Sequence, residues 1–166
     1  MVEIKSQEIY FTESKVIRAL EKAEPESSFL MNKLVYYPYT FLEYTFQKGG
    51  KLTPLKGEVA CTIDMISGVP SLVDKRPDFM KVRAEHDGIL SPSLDDHRVK
   101  VIASDFLYKT IAKKVKVLTT PNISNKQSQI FYRPYWVVEG KNQEENQFHL
   151  IVDTITGKFH PLNLVD

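Results

Sequence analysis

The sequence is poor in several features that would assign it to a class of protein. Its 166 residues include one cysteine, and lysine plus arginine nearly equal aspartate plus glutamate, so the formal net charge is +1. A single cysteine cannot form a disulfide within the chain, so nothing indicates an oxidising compartment. A charge near zero gives no strong field to attract nucleic acid or an anionic membrane, which argues against both as general partners.

Long hydrophobic runs are absent as well. No stretch approaches the roughly 18 consecutive apolar residues that a membrane-spanning helix needs. Residues 1–6 carry mixed charge and have no apolar region of the kind found in secretion signals. The sequence therefore predicts a cytoplasmic protein without a membrane span. Its 42% apolar and 26% charged residues predict a packed globular core.

The single cysteine has two interpretations. Cys61 could act as a nucleophile. However, it lies two residues from Val59 and Ile63 and four from Met65, so these side chains share one side of a predicted strand. Free cysteine is among the residue types most often buried. We therefore expect Cys61 to be a small buried side chain rather than a reactive thiol.

An internal repeat is the most informative feature that the sequence does contain. Tyr-Tyr-Pro-Tyr at 36–39 returns as Tyr-Arg-Pro-Tyr at 132–135, and Asp-Met-Ile-Ser-Gly at 64–68 returns as Asp-Thr-Ile-Thr-Gly at 153–157. The connection between the two motifs is longer in the first copy than in the second. Each copy is typical of an aromatic strand followed by an antiparallel return strand.

A helix signal precedes each copy. Apolar residues at helical spacing follow Thr12 and stop before Pro25, and a capping pattern at Ser93 predicts a second helix that runs to about Lys114. The strand signal of the first copy begins at Lys33, and the polar residues 121–127 are typical of a loop.

These patterns together predict an α+β fold of two pseudo-repeated units. Each unit would be a helix packed on an antiparallel β-meander of about three strands. The first unit would cover residues 1–74 and the second residues 93–166, and the mixed-charge residues 75–92, broken by proline and glycine, would link them.

The order of helix, aromatic strand and a strand ending in Asp-x-x-Thr-Gly resembles the PepSY family. The similarity is best over residues 132–160, which contain Trp136 and the turn motif at 153–157. The first copy departs from the family pattern, with Thr40 in the place of Trp136. The resemblance implies tandem PepSY-like units in a non-catalytic bacterial module of a family associated with binding or restraining peptidases.

One aspartate and one glycine of each repeat have a structural interpretation. Asp64 and Asp153 each precede a turn that ends at a glycine, Gly68 in the first copy and Gly157 in the second. An aspartate side chain at such a position accepts hydrogen bonds from backbone N–H groups two or three residues on, while glycine takes a positive φ. We therefore interpret these as turn residues rather than metal ligands or catalytic acids.

The aromatic side chains of the repeated strands are the candidate partner-binding residues: Tyr37, Tyr39, Tyr132, Tyr135 and Trp136. Tyrosine and tryptophan combine a large contact area with a polar tip, which suits interfaces. The alternative is that these rings fill space between sheet, helix and the other unit. We expect a non-enzymatic protein that binds a peptide or protein through an aromatic sheet face or the cleft between units, with no cofactor or metal.

A second hypothesis is an enzyme with a cleft site near His86, Asp95, Asp96 and His97. These residue types can bind metals, but their spacing matches no recognised zinc or calcium site.

A third hypothesis is a weak nucleic-acid contact through Lys109, Lys113, Lys114 and Lys116. The alternative for these lysines is a solvated face that complements the negative end of the second helix. The net charge near zero weakens the nucleic-acid hypothesis.

Overall fold

The computed structural model describes residues 1–48, 55–114 and 121–162 of the chain. Strands predominate among these residues. In chain order the elements are β1 (Val2–Ser6), α1 (Glu13–Ala23), β2 (Ser28–Lys48), β3 (Leu55–Asp64), β4 (Pro70–Val73), β5 (Met80–Ala84), a 3-10 turn (His86–Gly88), α2 (Asp96–Lys114), β6 (Asn122–Lys141), β7 (Gln147–Asp153) and β8 (Phe159–Pro161).

All eight of these strands belong to one mixed sheet. Hydrogen-bonded neighbours follow the order β4-β3-β2-β6-β1-β5, while β7 pairs with β6 and β8 pairs with β7. The β2–β3 and β6–β7 pairs are antiparallel. β1 pairs antiparallel with β5 and parallel with β6, so the first strand joins segments that are distant in sequence.

The predicted fold of two helix-on-meander units is wrong, because the structure has a single eight-stranded mixed sheet. β2 spans 21 residues and β6 spans 20, so each strand pairs with different neighbours along its length. The repeated motifs form the β2–β3 and β6–β7 pairs. Residues 75–92, predicted as a linker, contain β5, and all five of its residues pair with β1.

Contacts between residues divide the chain into two compact units, and neither unit is contiguous in sequence. Unit 1 comprises Met1–Tyr37, Asp78–Leu90 and Tyr132–Asp166, and unit 2 comprises Pro38–Pro77 and Ser91–Phe131. Both β2 and β6 therefore contribute residues to each unit.

The main core of unit 1 lies against α1. This helix ends at Ala23 because Pro25 disfavours helical geometry in the residue before it. Its helical spacing places Val16 and Leu20 on one face, and both are buried. They pack with three buried residues of β6 and β7, Val138, Leu150 and Val152. A smaller cluster joins β1, β2 and β5 through Ile4, Tyr36 and Ala84.

The core of unit 2 lies between α2 and the β2–β3 pair. The helix begins at Asp96, later than predicted, because Asp95 rather than Ser93 caps it: the Arg98 N–H donates to Asp95 Oδ1 at 2.7 Å. The buried face of α2 contains Val99, Ala103 and Leu107. It packs on Leu42 and Tyr44 of β2, on Cys61 and Ile63 of β3 and on Met65, which follows β3. In the part of the chain described, no helix is long and apolar enough to cross a membrane.

The start of β6, residues 122–127, is a strand where the sequence predicts a loop. Its side chains are mostly polar and exposed. Neighbouring strands hold it in place, since Asn125 Nδ2 donates to the Glu43 carbonyl at 3.2 Å and Lys126 pairs with Glu58 at 2.9 Å. Pairing with distant strands therefore outweighs the low strand propensity of this segment.

Candidate functional site

The turn after β3 is built on Asp64. Its Oδ1 accepts hydrogen bonds from the N–H groups of Ile66 at 2.8 Å and Ser67 at 2.9 Å. The Gly68 N–H donates to the Asp64 carbonyl at 2.8 Å, and Gly68 has a φ of 79°. The backbone of the turn therefore occupies one oxygen of this carboxylate.

The turn after β7 has the same construction. Asp153 Oδ1 accepts from the Ile155 N–H at 2.9 Å, and Gly157, with a φ of 75°, donates to the Asp153 carbonyl. Burial alone would raise the pKa of Asp153, but hydrogen bonds from Arg133 and the Ile155 N–H, with the Arg133 charge, lower it overall. Asp153 is therefore a structural carboxylate held ionised by its partners.

The candidate aromatic residues of unit 1 are half-buried and packed. The rings of Tyr37 and Tyr135 meet edge to face with centroids 6.2 Å apart. Tyr132 packs against the Ile4 cluster. Trp136 packs on the α1 core, and its Nε1 donates to the Phe11 carbonyl at 2.9 Å. Much of the area of these rings is therefore committed to packing within the unit.

Tyr39 is the candidate aromatic residue of unit 2. Its ring is half-buried and stacks on Phe131, with centroids 5.6 Å apart. Its predicted role as a partner-binding residue stays a prediction.

The residues of the enzyme hypothesis are exposed. His86 lies in the 3-10 turn of unit 1, and the other three lie at the start of α2 in unit 2. Asp95 caps that helix, and Asp96 pairs with Lys100 at 3.0 Å. Over the described ranges, no group of three or more histidine, cysteine, aspartate or glutamate side chains could hold a metal.

The lysines of the nucleic-acid hypothesis are only partly described. Lys109 pairs with Asp105 at 2.9 Å on the exposed surface of α2, which offsets its charge. Lys113 is exposed. The side chain of Lys114 and all of Lys116 lie outside the described residues.

Cys61 is completely buried, which confirms the prediction of a small core side chain. Burial raises the pKa of the thiol to about 12. A thiol of this kind carries almost no thiolate at neutral pH, so Cys61 is not a nucleophile in the folded protein.

We expect the Cys61 thiol to resist Ellman's reagent at pH 8 in the native protein and to react rapidly in urea. The raised pKa alone lowers the thiolate fraction by about three orders of magnitude relative to an unburied cysteine. An exposed cysteine introduced by Ser128→Cys serves as the control and should react at once. If the Cys61 thiol reacted with Ellman's reagent at the same rate with and without urea, the result would contradict its burial.

A feature that the sequence analysis missed is the open edge of β3 in unit 2. The Asp64 N–H donates to the Val69 carbonyl, which lies on the β4 side. Because backbone groups alternate between the two neighbours of a strand, those of Glu58 and Lys56 point to the same side. β4 pairs with β3 only as far as Ala60. In the described chain, no strand therefore pairs with this side of residues 56–59.

A cavity of about 360 Å³ lies at this edge. We call it the β3 cleft, and it is lined by Phe41, Glu43, Tyr44, Phe46, Glu58, Val59, Ala60, Leu72, Val73, Asp74, Arg76, Thr110, Ile111 and Lys126. Cross-strand pairing puts Glu43 and Ala60 on one face of the sheet and Tyr44 and Val59 on the other. Since both faces line the cavity, it reaches around the strand edge.

The corresponding edge in unit 1 is shorter. β7 has seven residues where β3 has ten. The Leu162 N–H donates to the His149 carbonyl at 2.8 Å. Only two residues of β7, Gln147 and Phe148, precede this bonded position. The sequence signal for the difference is the longer connection between the two motifs of the first copy, part of which extends β3.

The arrangement at the β3 cleft can hold an extended chain, because it offers backbone groups that no described strand pairs with, beside a partly apolar cavity. Among the described residues it contains no nucleophile beside a base. Comparison with protein-family models, curated proteins and solved structures finds no match to this chain.

Proposed function

We propose that this protein is a non-enzymatic module that binds an extended segment of a peptide or protein as an added strand along β3. The observation that carries the proposal is the β3 cleft, a cavity of about 360 Å³ at an edge of β3 that no strand pairs with among the described residues. Addition of a strand to an exposed sheet edge is a common mode of peptide recognition.

The bound segment would lie along the part of β3 that no strand of the described residues pairs with on this side. β4 occupies the edge of β3 from Ala60 to Ile63, so the segment would lie beside residues 56–59. Main-chain hydrogen bonds to Glu58 and Lys56 would provide affinity independent of sequence. Side chains of the segment would point alternately to the two faces of the sheet, where the cleft provides separate surroundings for each.

We also propose, from the sequence, a cytoplasmic location for the protein and a relationship of residues 132–160 to the PepSY family. The aromatic residues first considered for binding stay candidates. We favour the β3 cleft because it combines a cavity with backbone groups that no described strand pairs with.

The test is fluorescence anisotropy with a fluorescein-labelled peptide of alternating valine and serine. We expect Glu58→Pro to weaken binding at least about tenfold, because proline removes an outward N–H and places its ring in the path of the added strand. The β2–β3 ladder should survive, since the Glu58 N–H points away from β2.

The matched control is Glu58→Ala, which removes the same carboxylate and the same ion pair with Lys126 but keeps the N–H. This variant should bind the peptide within about twofold of the unsubstituted protein. Equal affinities for Glu58→Pro and Glu58→Ala, or no binding of the peptide by the unsubstituted protein, would contradict strand addition.

A further inference from the structure

We infer that the β3 cleft selects segments in which apolar residues alternate with lysine or arginine. The inference rests on the proposed function and names the chemistry of its partner. It follows from the different surroundings that the two faces of the sheet provide at this edge.

One face of the cleft is apolar. Tyr44 and Val59 lie opposite each other on the face that packs against α2. Ile111 of α2 and Leu72 of β4 also line the cavity, and Leu72 is 37% exposed. A side chain of the added strand that points to this face would cover apolar surface, so valine, leucine or isoleucine fits there.

The opposite face is charged. Glu43 lies opposite Ala60, and Glu58 lies two residues before Ala60 on the same face. The residue of an added strand that pairs with Glu58 would point its side chain to this face, close to both glutamates. The side-chain carboxylate of Glu43 makes no ion pair or hydrogen bond within the described ranges.

The cations of the cleft already have partners. Lys126 pairs with Glu58 at 2.9 Å, and the guanidinium carbon of Arg76 lies 5.9 Å from the centroid of the Phe41 ring. Among the described residues, the acids of this face are Glu43 and Glu58, and neither of the two cations forms an ion pair with the Glu43 carboxylate. An incoming cation therefore complements the Glu43 carboxylate.

Lys126 shows how this surface acts on a cation. The pKa of its ammonium group is raised by the hydrogen bond with Glu58, by the charge of Glu58 and by the charge of Glu43. Two carboxylates thus favour a positive charge at one point of the surface. Because Lys126 compensates Glu58, a lysine or arginine of the bound segment would interact mainly with the Glu43 carboxylate.

The experiment compares three fluorescein-labelled seven-residue peptides in which valine alternates with lysine, serine or glutamate. We expect the valine–lysine peptide to bind about five- to tenfold more tightly than the valine–serine peptide, and the valine–glutamate peptide to bind most weakly. The preference should shrink between low and high salt, because screening weakens exposed charge pairs.

The variant Glu43→Gln should reduce the preference for lysine and leave the affinity for the valine–serine peptide unchanged. Glu21→Gln, which removes an equal charge from the exposed face of α1 in unit 1, is the control and should leave the preference intact. Equal binding of all three peptides would overturn the inference and keep the proposed function. Binding of none of them would overturn both.

Discussion

Replacing Gly157 with alanine will lower the free energy of unfolding by roughly 2–4 kcal/mol, and Gly68→Ala will lower it by only about 1–2 kcal/mol. Both glycines have a positive φ, 75° and 79°, so both substitutions carry the cost of a left-handed alanine. The added Cβ differs in its surroundings. At Gly157 it would lie 2.8 Å from two ring atoms of Phe11, whereas at Gly68 its nearest neighbour, an Ile102 methyl, would be 3.4 Å away.

Urea unfolding provides the measurement, since Trp136 is the only tryptophan and packs in the core of unit 1. The variant Phe11→Leu tests the cause, because a smaller side chain makes room for the Cβ of alanine. In that background, Gly157→Ala should cost no more than Gly68→Ala. If the two alanine variants are equally destabilised with Phe11 in place, the close approach of the ring does not matter.

The second large effect concerns Arg133 and Asp153. We expect Arg133→Met to lower the free energy of unfolding at pH 7 by about 2 kcal/mol, below the value for a fully buried pair because both partners keep some exposure. The side chains are 25% and 16% exposed. Removal of the guanidinium leaves the Asp153 carboxylate half-buried without its ionic partner, and Asp153→Asn in the same protein should recover part of the loss.

The same pair makes stability depend on pH. The folded-state pKa of Asp153 is lowered, since the hydrogen bonds and charge that favour its ionised form outweigh the burial that disfavours it. Its contribution is therefore fully present above the pKa of an unfolded aspartate and is lost as the pH falls through the lower folded pKa. Arg133→Met should make the decline in stability at acid pH shallower.

Unfolding in urea at several pH values between 3 and 7 measures both effects. Lys109→Met is the control, because it breaks an exposed ion pair with Asp105 at 2.9 Å that contributes at most about 1 kcal/mol. A loss from Arg133→Met no larger than that of the control, or an unchanged pH dependence, would contradict the structural role of the pair.

Features that depend on neighbouring residues could be predicted from the sequence. Helix α1 lies close to its predicted bounds because its apolar spacing and Pro25 act over a few residues. Cys61 is buried because the two-residue alternation around it sets one side of the strand toward the core. The turn motifs at 64–68 and 153–157 mark the β3–β4 and β7–β8 connections for the same reason, since turn chemistry acts over a few residues.

The arrangement of the sheet could not be predicted in this way. β1 pairs with β5 and β6, and residues 122–131 form a strand despite their polar composition. Both facts depend on partners that are distant in sequence, and strand propensity depends strongly on such partners. Tyrosine and tryptophan are favoured both in cores and at interfaces, so the sequence of the aromatic strands does not distinguish the two roles.

By itself, the sequence determined the elements whose causes are local: the helical stripes, the hairpin turns with their aspartates and glycines, and the burial of Cys61. Only the tertiary structure decided that the strands form one sheet, that Trp136 donates to the Phe11 carbonyl, and that β4 ends opposite Ala60 and leaves the edge of β3 open. The physical reason is that a strand satisfies its backbone groups with whichever strand lies beside it, and that neighbour is chosen by the packing of the whole chain.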